Sequence, residues 1–119
     1  MASTVQWHAH DNCGVEVSGI SLASISATRL EEVKRQFTQH GVVFFRGVDK
    51  EAPFGPQEHI EFCKKIGDIN INRFFDHMPD YPEIAIVEKT PGQREAIGQA
   101  FHADHTYDTA PALGSKFNP

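Results

Sequence analysis

A chain of 119 residues has room for one domain and no more. At that size roughly 65% of the unfolded surface can be buried, which gives a modest core. With 39% hydrophobic and 23% charged residues the composition is that of a soluble protein, and the net charge of −5 argues against nucleic-acid or anionic-membrane partners. Cys13 and Cys63 are fifty positions apart, with no C-x-x-C spacing, which excludes a zinc ribbon and gives no disulfide framework. The amino terminus lacks the apolar run of a signal peptide, so the expected location is cytoplasmic.

In chain order, Val15, Val17 and Ile20 follow Gly14 in rough alternation, a strand signal. A helix then starts at one of two competing caps. Thr28 precedes Glu31 at capping-box spacing, and Ser26 is the other N-cap. Leu30, Val33 and Phe37 fall on one stripe, Glu31 and Arg35 form an i, i+4 pair, and Gly41 supplies the stop. The run Val42, Val43, Phe44, Phe45 predicts a strand buried on both faces.

A loop over 48–56 leads to a second helix with Pro56 at its first position. Ile60, Cys63 and Ile66 form its apolar stripe, widened by Phe62; acidic residues come early, Lys64 and Lys65 late, and Gly67 closes it. Residues 70–82 read as loop, 84–87 as a strand, 90–99 as a mobile connection, and 101–107 as extended. The sum is an α+β arrangement with two helices flanking an incomplete sheet.

Near the end of the chain stand His102 and Asp104. In an extended segment residues i and i+2 share a face, so an imidazole nitrogen and a carboxylate oxygen can meet one cation. Two histidines and one carboxylate make the facial triad of non-haem iron sites, and this pair is two-thirds of one. H-x-D alone is weakly specific, and a surface turn is its plain alternative. Other residues have plain readings too. His8 and His10, with Asp11 and Cys13, suggest a metal cluster but also a solvated terminus; Cys63 reads as a packed thiol, and His40 as a partner of a helix C-terminus. Tyr107 and Asp108 suit either a pocket or a structural hydrogen bond.

Four ordered segments give the pair its context. Residues 14–23 (Gly-Val-Glu-Val-Ser-Gly-Ile-Ser-Leu-Ala), 40–47 (His-Gly-Val-Val-Phe-Phe-Arg-Gly), 57–68 (Gln-Glu-His-Ile-Glu-Phe-Cys-Lys-Lys-Ile-Gly-Asp) and 97–108 (Ile-Gly-Gln-Ala-Phe-His-Ala-Asp-His-Thr-Tyr-Asp) together resemble the TauD/TfdA family, the taurine/2,4-dichlorophenoxyacetate dioxygenases. The last segment corresponds to a motif usually seen as Trp-His-x-Asp, and the likeness runs over about 14–115.

The resemblance implies the amino-terminal portion of a double-stranded β-helix (jelly-roll) core, as a single partial domain over 1–119. It implies Fe(II) held by His102 and Asp104, 2-oxoglutarate as co-substrate, and hydroxylation of a small organic substrate with release of succinate. Asn70, Asn72, Phe75 and His77 would line the substrate side, under a lid at 90–99. Asn72 and Phe75 stand where taurine-type members carry a histidine and a tyrosine, which disfavours taurine. The family's second histidine ligand, its 2-oxoglutarate arginine and most jelly-roll strands lie downstream of the motif. Here the only later histidine is His105, which alternation turns to the opposite face, and Arg29, Arg35, Arg46, Arg73 and Arg94 all precede the motif. The expectation is therefore a truncated chain, inactive alone, with self-association left open. The alternative is a non-catalytic α+β module, or a truncated isoform, acting through strand pairing with a partner.

Overall fold

The computed structural model describes residues 4–48 and 54–118, so most of the expected 48–56 loop lies outside the described residues. The chain divides into two compact units, 1–66 and 67–119, and each is taken by itself.

The first unit is a three-stranded sheet with two helices. Strand β1 (Gln6–Ala9) pairs antiparallel with β2 (Val15–Ser18), and β2 pairs parallel with β3 (Val43–Arg46), the strand order being β1-β2-β3. Helix α1 (Ala27–His40) makes the crossover that a parallel pair requires. Ser26 is its N-cap and accepts from the Arg29 backbone N–H at 3.2 Å, so Ser26 and not Thr28 starts the helix. Gly41 ends it in the left-handed conformation, with its N–H on the Phe37 carbonyl. Glu31 pairs with Lys34, one position before the expected Arg35, and Arg29 pairs with Glu32.

Helix α2 (Pro56–Ile66) begins with Pro56 as expected, and the Glu58 carboxylate caps the Gly55 N–H at 3.0 Å. The core cluster is Val17, Ile20, Leu22, Val33 and Phe62, with Phe45 edge-on to Phe62 at 5.8 Å between ring centres. Phe62 is therefore the buried centre of the α2 stripe, while Cys63 and Ile66 pack around it half-buried. Strand β3 departs from expectation. Its residues alternate between half-buried and exposed, and Val42 and Phe44 are exposed on the outer side. An antiparallel or mixed sheet can leave one face to solvent, and the helices cover only the other.

The second unit contains a hairpin, β4 (His77–Met78) and β5 (Tyr81–Ala85), where the sequence suggested loop up to 82 and a strand over 84–87. Pro79 and Asp80 form the turn between Met78 and Tyr81, with Asp80 at φ 66°. Proline at the first central position and a positive φ at the second are the type II pattern, so proline here builds the hairpin. Among the described residues no helix is long and apolar enough to cross a membrane.

Candidate metal centre

Residues 101–107 are not a strand. The segment bends at Asp104 and turns at Thr106 and Tyr107, and His105 has the left-handed φ of 54°. His102 and Asp104 meet all the same. His102 Nε2 lies 3.2 Å from Asp104 Oδ1. Two donors each about 2.1 Å from one cation at a right angle stand roughly 3.0 Å apart, so this separation suits adjacent positions on one metal.

One ring nitrogen has a clear partner. His102 Nδ1 lies 2.7 Å from the Ala100 carbonyl oxygen, which can only accept, so Nδ1–H donates there and Nε2, beside the Asp104 carboxylate, is the nitrogen left for a cation. A backbone carbonyl on the far nitrogen is the usual way a ligating imidazole is oriented. Gly98 supplies room: it sits at φ 74°, and a Cβ there would stand 3.2 Å from His102 Cε1 and 3.6 Å from Nε2. Within the 90–99 connection, a glycine four residues before the candidate histidine is the one sequence signal of this clearance.

Both ligand candidates are accessible, with 51% of the His102 side chain and 83% of that of Asp104 exposed. Among the described residues no group of three or more His, Cys, Asp or Glu side chains is placed to hold a metal. His105 is engaged elsewhere, with Nδ1 3.2 Å from Asp108 Oδ2; the cause is a turn and not strand alternation. The amino-terminal alternative does not assemble among the described residues either: His10 faces Glu16 at 3.6 Å and sets its ring edge-on to Phe44.

The four substrate-side candidates separate. Asn70 and Asn72 line a cavity of about 460 Å³, together with Arg73, Phe74, His105 and Tyr107. Phe75 and His77 are not among its lining residues. Asn72 has a local task, its side-chain oxygen accepting from the Phe74 and Phe75 N–H groups, while its carbonyl meets His77 Nε2 at 2.9 Å. The 90–99 connection is two hydrogen-bonded turns, Gln93 N–H to the Thr90 carbonyl and Gln99 N–H to the Ala96 carbonyl.

The sequence profile of the family described as "Taurine catabolism dioxygenase TauD, TfdA family" matches residues 6–117. The chain belongs to this family. It is similar to the alpha-ketoglutarate-dependent sulfonate dioxygenase of Saccharomyces cerevisiae (strain ATCC 204508 / S288c), 27% identical over 106 residues. That match covers 82% of this chain and 26% of the yeast protein, so the chain spans about a quarter of the relative it matches.

Proposed function

We propose that this chain is the amino-terminal part of an Fe(II)/2-oxoglutarate-dependent dioxygenase, a single partial domain that hydroxylates a small organic substrate when completed. The observation that carries the reading is the His102 Nε2 to Asp104 Oδ1 approach of 3.2 Å within a chain of the TauD/TfdA family. When bound, the iron with 2-oxoglutarate and oxygen supplies oxidative decarboxylation to succinate and carbon dioxide, coupled to insertion of one oxygen into a substrate C–H bond.

The chain's own residues have narrower tasks. His102 would offer Nε2 from a ring held by the Ala100 carbonyl, and Asp104 would offer the anionic oxygen that offsets cation charge. Gly98 leaves the imidazole edge uncrowded, where a Cβ would press on it. Asn70 and Asn72 give the substrate side polar walls, and the Phe75 N–H and His77 Nε2 hold Asn72 in place. The remaining ligand, the 2-oxoglutarate arginine and the rest of the jelly roll are assigned to sequence beyond this chain. The match to only 26% of the yeast relative's length supports that assignment. Family membership favours this reading over a non-catalytic module. A cytoplasmic location follows the same reading.

The test is an anaerobic Fe(II) titration of the chain in saturating 2-oxoglutarate, followed by visible absorption. A weak Fe(II)-dependent chelate band that disappears in His102→Ala is the expected outcome. No band at any iron concentration, or a band that His102→Ala leaves unchanged, would sink the proposal.

A further inference from the structure

We infer that Arg73 is a positioning residue that acts through Asp108 to hold the ligand Asp104; this rests on the metal reading above. Among the described residues, the Asp104 carboxylate meets His102 and no hydrogen-bond donor that would fix it independently. Its place is therefore set by the backbone that follows. That backbone is unusual, since His105 occupies the left-handed region at φ 54° without being glycine. Histidine adopts this region more readily than most residues, yet at a cost that contacts with its surroundings offset.

The surroundings are specific. The Asp108 N–H donates to the His105 carbonyl at 3.0 Å, and His105 Nδ1–H donates to Asp108 Oδ2 at 3.2 Å. The other oxygen of Asp108 faces Arg73 Nη2 at 3.5 Å. The Arg73 guanidinium lies over two rings, Phe74 at 5.2 Å and Tyr107 at 5.3 Å, and these rings meet edge to face at 6.0 Å. An isolated exposed ion pair holds little, and 65% of the Arg73 side chain is exposed. Here the planar cation is also stacked on aromatic faces, which sets its direction as well as its charge. Arg73 thus ties the segment after α2 to the turn that leaves Asp104.

Two readouts on the full 119-residue chain separate positioning from simple structure. One is hydrogen exchange of the Asp108 amide by NMR. The other is Co(II) affinity from the visible bands of the bound ion. In Arg73→Ala the exchange rate is expected to rise and Co(II) binding to weaken, each by about tenfold. Arg73→Lys keeps the charge without the planar fork and should fall between wild type and Arg73→Ala; Asp108→Asn should match Arg73→Ala. Far-UV circular dichroism checks that each variant is folded. If wild type binds Co(II) and Arg73→Ala binds it equally well, the inference is overturned while the metal reading stands. Faster exchange with unchanged Co(II) affinity overturns it equally, because the brace would then hold the turn and not the ligand. A wild-type chain without Co(II) bands removes the metal reading, and this inference with it.

Discussion

His102 is aimed by small neighbours. The Ala100 carbonyl takes the proton of one ring nitrogen, and Gly98 leaves the ring edge clear at a backbone angle that side chains resist. Gly98→Ala places a methyl group 3.2 Å from the imidazole at φ 74°. The backbone cost of about 1 kcal/mol should appear in urea unfolding, and displacement of the ring as a loss of Fe(II) affinity of about tenfold, with the secondary structure intact. A metal titration beside circular dichroism checks it, and unchanged affinity would mean that Gly98 is only a turn residue. That His102 and Asp104 come together was legible in the sequence, because H-x-D places both side chains within reach of one point. The turn at His105 was not. Histidine enters the left-handed region more readily than most residues, but only the contacts of Asp108, three positions later, single out this one, and they are not visible in the local sequence.

At the scale of elements, helix α1 decides between two readings that the sequence left open. Ser26 caps it, so Ser26→Ala should lower stability by about 1 kcal/mol in urea unfolding, while Thr28→Ala should leave it nearly unchanged. The reverse pattern would assign the cap to Thr28. Both helices were readable, because caps, stripes and end charges agree within each. Strand β1 was missed because Gln6–Ala9 is largely exposed and only Trp7 is half-buried, which leaves no alternation to see. The β4–β5 hairpin is hidden by its own turn, since Pro79 within the 70–82 stretch signals loop by composition yet supplies the fixed φ of a two-residue turn.

For the whole molecule, the described fully buried apolar residues lie in the first unit, and Phe62 anchors them. Phe62→Ala should cost about 3–5 kcal/mol, enough to abolish the cooperative unfolding transition of so small a core. A retained transition would show that the core is elsewhere. The second unit carries the candidate ligands on bends and turns beside exposed Phe101, Leu113 and Phe117. With one histidine and one carboxylate brought together, the chain alone is expected to yield no succinate from 2-oxoglutarate. Sustained succinate formation by the purified chain would refute that.

The claim on which the rest depends is that His102 and Asp104 are the chain's iron ligands. Fe(II) affinity of wild type, His102→Ala, Asp104→Ala and His10→Ala, measured anaerobically under one set of conditions, tests it most directly. Loss of binding in His102→Ala and in Asp104→Ala, with His10→Ala equal to wild type, is the result this account requires. Binding that survives both of those changes, or that disappears with His10, would contradict it.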